Sequence, residues 1–141
     1  QDNLLMGAYR RRDKAAVARD LERMVQLFPR LGERRRQLAG SMSGGEQQMC
    51  AMARALMAAP VLMMIDEMSL GLAPVIVDQL TEVLAEIRNN GVTVLLVEQD
   101  VHVALRAADR AYVIENGRVT LAGAARELID DPAVQQAYLG V

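Results

Sequence analysis

The 141 residues, 52% of them hydrophobic, carry enough apolar material for one ordinary domain with a core, which argues against disorder. A formal net charge of −2 removes any global basic field as an argument for nucleic acid, and the lone Cys50 excludes an internal disulfide and favours a reducing compartment. Charge is uneven along the chain, with ten basic and five acidic residues in 1–36 against six and thirteen in the remainder, and Lys14 is the only lysine. The chain opens Gln1-Asp2-Asn3 without Met, basic leader or long apolar stretch. It is therefore expected to have neither signal peptide nor spanning helix and to come from inside a longer protein.

Apolar residues from Ala16 to Phe28 recur at helical spacing, with Asp13 placed as N-cap and Pro29 as terminator. The Arg-rich stretch Leu31 to Gly40 reads as a polar approach to a second helix, which opens at Ser43-Gly44-Gly45-Glu46, a Ser-x-x-Glu capping box, and runs toward Pro60. Val61 to Ile65 is a continuous apolar run that predicts a buried parallel strand delivering Asp66 and Glu67 at its end. Pro74 opens a third helix, closed by Asn90-Gly91, and Val92 to Val97 predicts a second strand, so that residues 61–97 read as a βαβ unit. A short helix from Val101 to Ala108, a hairpin across Asn116-Gly117 and two short helical pieces near 124–129 and 132–139 complete the chain.

Two constellations carry chemistry. A carboxylate pair at the end of a buried strand lies where an α/β sheet places its ligand. In nucleotide hydrolysis one such carboxylate helps hold Mg²⁺ while its neighbour positions the attacking water. Ser43-Gly44-Gly45 at a helix start can present a hydroxyl and backbone N–H groups to a phosphate, aided by the positive end of the helix dipole. Each piece alone reads as readily as a solvated strand end or an ordinary N-cap. The joint spacing of Met42 to Gln47, Arg54-Ala55-Leu56 and the strand ending Asp66-Glu67 is far more specific.

With these residues the chain resembles the nucleotide-binding subunits of ABC transporters. Stretches such as Asn3 to Gly7, Leu27 to Leu31, Ser69 to Pro74, Leu96 to Gln99 and Ala137 to Gly140 are similar to importers of branched-chain amino acids. The resemblance implies an α/β, partial P-loop NTPase fold of ABC type. Residues 1–58 would form the helical signature subdomain, and residues 59–141 the C-terminal half of the parallel core sheet with flanking helices and a terminal β-hairpin. It further implies an ATPase using ATP and Mg²⁺. Ser43, Gly44 and Gly45, with Glu46 in the same binding set, would meet the γ-phosphate of ATP held mainly by a second subunit; Asp66 would support Mg²⁺; and Glu67 would orient or activate water. Gln99 stands where the superfamily has a switch His, and its amide retains hydrogen-bonding capacity without a titratable charge. Met68 stands where Pro is usual, and Ala73 where many relatives have Asp.

The expected partners are a second ATP-binding subunit and membrane permease subunits, not nucleic acid, on the cytoplasmic face of the cell membrane. No Gly-x-x-x-x-Gly-Lys-Ser/Thr loop surrounds Lys14, so the 141 residues alone are expected to be inactive. The alternative reading is a non-transport or regulatory ABC-type module without turnover of its own. His102 is expected on the surface or facing a partner, Cys50 in the core, and the methionines mostly as core filler, with Met6, Met63 and Met64 the candidates for partner contact.

Overall fold

The computed structural model describes residues 1–139. Two compact units emerge, one built from Gln1–Met63 with Gly71–Val94, the other from Met64–Leu70 with the chain from Leu95 onward.

The first unit is mainly helical: α1 (Asp2–Gly7), α2 (Lys14–Leu27), α3 (Pro29–Glu33), α4 (Gly44–Leu56) and α5 (Pro74–Asn89), with a single 3₁₀ turn at Ala39–Ser41. Asp13 caps α2 by accepting the Ala16 N–H at 3.0 Å, as its position before the apolar repeat predicts. Pro29 does more than stop α2. It occupies the first turn of α3, where its missing N–H costs nothing, and so turns the expected polar approach into a short helix that buries Leu31. Neither α1 nor α3 is foreshadowed by periodicity, because six and five residues are too short to display it.

The apolar faces of these helices bury Leu21, Met24, Phe28, Met49, Met52, Met57, Leu80, Leu84 and Ile87. Full burial of a side chain such as Leu80 contributes roughly 1.5–3 kcal/mol. Close packing is visible at Gly7, where a methyl group would run into the Arg54 carbonyl oxygen of α4. Cys50 is buried, as expected, and of the three methionines singled out for partner contact Met63 is buried whereas Met6 and Met64 are exposed.

Strands β1 (Leu62–Asp66) and β2 (Thr93–Val97) pair in a two-stranded sheet. Thr93 donates to Val61 at its start and Glu67 to Val97 at its end, so both strands run the same way. The expectation of a buried strand is met only in part. Met63 and Ile65 are buried, but Met64 is 72% exposed, Leu95 52% and Val97 53%, because only one face of this sheet is covered by described residues.

The second unit also holds α6 (Val101–Ala107), β3 (Arg110–Glu115), β4 (Arg118–Ala124), α7 (Ala125–Leu128) and α8 (Pro132–Val134), with a π turn at Gln135–Leu139. β3 and β4 form the expected antiparallel hairpin, with a register shift between Val113 and Ile114. Its turn has φ +48° at Asn116 and +76° at Gly117, the left-handed pair that Asn-Gly favours. Leu105, Ala125, Leu128 and Val134 form the core beneath it. The resemblance drawn at Ala137 to Gly140 ends on Gly140, which lies outside the described residues. Among the described residues no helix is long and apolar enough to cross a membrane.

Candidate functional site

Within the first unit, the start of α4 is built as a reciprocal capping box. The Ser43 N–H donates to Glu46 Oε2 at 3.0 Å, and the Glu46 N–H donates to Ser43 Oγ at 3.4 Å. Glu46 Oε1 pairs with Arg34 Nε at 2.9 Å. The hydrogen bond from the Ser43 backbone, aided by Ser43 Oγ and the charge of Arg34, holds the Glu46 carboxyl below the usual glutamate range. Both oxygens of Glu46 are thus engaged in ordering the helix start, and Ser43 itself lies exposed at that start.

The two glycines differ. Gly44 is exposed, and a methyl there would meet only Leu72 Cδ2 at 3.7 Å. Gly45 is buried, and a methyl there would stand 2.8 Å from Ile76 Cγ2 of α5, so its lack of a side chain lets α4 and α5 approach. First-turn amides have no acceptor within their own helix. Those of Gly44 and Gly45, together with the Ser43 hydroxyl, are a donor set that fits a phosphate oxygen.

Within the second unit, β1 ends at Asp66 and the chain reverses at once. Glu67 has φ +48°, a left-handed conformation that costs a non-glycine residue roughly 1–2 kcal/mol. Hydrogen bonds hold it there: its N–H donates to the Val97 carbonyl at 2.8 Å, and its own carbonyl accepts the Leu70 N–H at 3.2 Å. The left-handed step leaves the Glu67 side chain beside Gln99, whose Nε2 donates to Glu67 Oε1. A carboxylate only accepts, so the amide must present its NH₂ group and leave its own oxygen available.

Sequence reading named Glu67 and Gln99 separately, and the structure brings them into direct contact. Two residues after Glu67 and one before Gln99, a second pair meets: Glu98 accepts the Ser69 N–H at 2.9 Å and the Ser69 hydroxyl at 2.7 Å. That pair was missed as a site feature. The βαβ reading could have found it, because pairing β1 with β2 brings residues 67–69 to residues 97–99. Asp66 is exposed, and its carboxylate takes no hydrogen bond or ion pair among the described residues. No cluster of three or more metal-ligating side chains occurs among those residues. One free carboxylate fits Mg²⁺, which keeps several waters and binds through one or two carboxylates plus substrate phosphates. His102 is exposed on α6, as expected.

A carboxylate pair at the end of the first strand of a βαβ unit, with a glycine-bearing capped helix earlier in the chain, is an arrangement suited to binding a phosphate ligand in an α/β fold. Residues 1–69 match the family model described as ABC transporter. The chain is 50% identical over 140 residues to the high-affinity branched-chain amino acid transport ATP-binding protein BraG of Pseudomonas aeruginosa, covering 99% of this chain and 60% of that protein. It is 34% identical to the probable branched-chain amino acid transport ATP-binding protein LivF of Archaeoglobus fulgidus, covering 100% of this chain and 60% of that protein. In fold it matches the ADP conformation of an ATP-binding cassette of an ABC transporter with a TM-score of 0.79 at 24% identity, covering 99% of this chain and 61% of that one. These likenesses are to ATP-binding proteins of ABC transporters. The chain spans about 60% of the length of these relatives, so its fold is a partial ABC ATPase fold.

Proposed function

We propose that this chain is the portion of an ATP-hydrolysing subunit that supplies the signature helix and the hydrolytic carboxylate to an importer of branched-chain amino acids. The hydrogen bond from Gln99 to Glu67, at the strand end that also presents Asp66, carries the reading. It gives a carboxylate a fixed direction, which a water-positioning group needs. The transport assignment rests on the names of the relatives, at 50% and 34% identity.

Bound ATP with Mg²⁺ supplies the phosphoryl group and the cation that neutralises its charge. The residues of this chain do the rest by position. Ser43 Oγ and the amides of Gly44 and Gly45 donate to a phosphate oxygen, with Glu46 keeping the helix start ordered. Asp66 offers its free carboxylate toward the cation. Glu67 holds a water by accepting its hydrogen bond, and Gln99 fixes the carboxylate that does so. A phosphate-cradling loop is needed as well. These 141 residues lack one, so turnover is assigned to an assembly that provides it, with a second ATP-binding subunit and permease subunits on the inner face of the membrane. Residues 1–58 act in it as the signature subdomain and 59–141 as half of the core.

The test is ATP turnover by that assembly, with and without Glu67→Gln, alongside co-purification. Turnover that falls about 10²-fold or more in the variant, with permease rather than nucleic acid in the purified complex, supports the reading. Full turnover in Glu67→Gln, or an assembly that binds nucleotide without hydrolysing it, points instead to a regulatory module.

A further inference from the structure

Three consecutive residues at the end of β2 grip the corner that follows β1. The Val97 carbonyl holds the Glu67 N–H, the Gln99 amide holds the Glu67 carboxylate, and between them the Glu98 carboxylate accepts from the N–H and the hydroxyl of Ser69. The first and third act on Glu67 itself. The second closes the corner from its far end, two residues beyond the left-handed step.

We propose that Glu98 is a positioning residue: by clamping Ser69 it keeps the Glu67–Ser69 corner in the conformation that presents the Glu67 carboxylate. It touches neither nucleotide nor water in this role and works through the backbone. The proposal rests on the hydrolytic reading of Glu67 and adds to it a residue that neither motif contains. Both contacts are charge-assisted and partly buried, and such bonds are about twice as strong as neutral ones. Their purpose is legible in what they oppose. A non-glycine residue at φ +48° relaxes toward ordinary backbone unless its neighbours fix it, and the next residue after Glu67, Met68, is buried and cannot swing outward freely. With Ser69 released, the Glu67–Leu70 turn keeps its backbone bonds, the buried Met68 and the Gln99 contact but loses the hold on its far end, and the carboxylate samples more directions in which it no longer meets its water.

Two substitutions separate this role from mere structural support. Glu98→Ala removes the clamp. Glu98→Gln can preserve it, since the amide oxygen accepts the Ser69 N–H and the amide NH₂ donates to Ser69 Oγ. Amide hydrogen exchange on this chain reads the corner directly, and ATP turnover by the loop-bearing assembly reads its consequence. Glu98→Ala is expected to speed exchange at Ser69 and Glu67 at least tenfold and to lower kcat about tenfold with KM for ATP unchanged, and Glu98→Gln to restore most of both. Unchanged exchange in Glu98→Ala, unchanged kcat despite faster exchange, or a Glu98→Gln variant as impaired as Glu98→Ala overturns the proposal. If the unsubstituted assembly shows no Glu67-dependent turnover, the hydrolytic reading fails, and the exchange measurement alone still decides whether Glu98 holds the corner.

Discussion

The Gln99 side-chain amide donates a hydrogen bond to the Glu67 carboxylate across 32 residues of sequence. Glutamine at this position gives an NH₂ to the carboxylate and keeps an amide oxygen for a second partner, as a neutral histidine could with its two ring nitrogens, but without any change of charge near neutral pH. Gln99→Ala leaves the carboxylate to rotate and is expected to lower kcat about tenfold while leaving KM for ATP within about twofold, because the loss is one of orientation. Gln99→His retains a ring N–H donor and is expected to keep turnover within about threefold of the parent. Steady-state kinetics on the assembled ATPase checks both. A Gln99→Ala variant with unaltered kcat would show that the contact is incidental.

The capping box at α4 makes the stability of the helix start depend on pH. The Glu46 carboxyl titrates below its ordinary range because the ionised form accepts the Ser43 N–H and faces Arg34. The unfolded chain therefore binds this proton more readily than the folded one. The stabilisation is complete above the ordinary glutamate range and is lost as pH falls through that range toward the depressed folded value. Thermal midpoints measured between pH 7 and pH 3 should fall less steeply in Glu46→Gln than in the parent. Ser43→Ala removes the side-chain arm of the cap and should cost about 1 kcal/mol at neutral pH.

Gly45 and Ile76 form a second checkable pair. A methyl at residue 45 stands 2.8 Å from Ile76 Cγ2, a side-chain atom, whereas a methyl at Gly7 meets the Arg54 carbonyl oxygen, which is backbone. Overpacking of this kind costs roughly 1–3 kcal/mol. Gly45→Ala should lower the thermal midpoint, and Ile76→Ala in the same chain should recover part of the loss, giving a non-additive double-mutant cycle. Gly7→Ala has no such remedy and should destabilise more. Additive Gly45→Ala and Ile76→Ala effects would show that the two positions do not meet.

Local chemistry explains what could be read in the chain beforehand. Asp13, the Ser43–Glu46 box, Pro74, Asn90-Gly91 and Asn116-Gly117 each fix backbone through their own side chain or φ, and the element boundaries they predict agree with the structure to within one or two residues. α1 packs on α4, of which the close approach of Gly7 to Arg54 is the sign, and no short window contains that information, whereas α3 starts on Pro29 but is too short to show a period. The carboxylates and Gln99 were legible as residue types at strand ends. Their contact was not, since it depends on Glu67 entering the left-handed region, which composition does not favour for glutamate. The pairing of Ser69 with Glu98 escaped notice because neither type is unusual alone and 29 residues separate them.

The continuous apolar character of β1 and β2 overstated what the described residues cover, and this has a measurable consequence. Met64, Leu95 and Val97 leave an apolar strip on the second unit, with exposures of 72%, 52% and 53%. Exposed strips on a sheet with unpaired edges promote association. The 141 residues expressed by themselves should therefore self-associate as concentration rises through about 10–100 μM. Met64→Lys places a charge on the exposed face, where it needs no burial, and should shift association to higher concentration without lowering the thermal midpoint by more than about 0.5 kcal/mol equivalent. Met63→Lys is the contrasting variant, because Met63 is 6% exposed and a lysine there buries an unpaired charge, so it should unfold the chain. Sedimentation velocity over that range distinguishes the two. A parent chain that remains monomeric throughout would mean that the strip is too small to drive association.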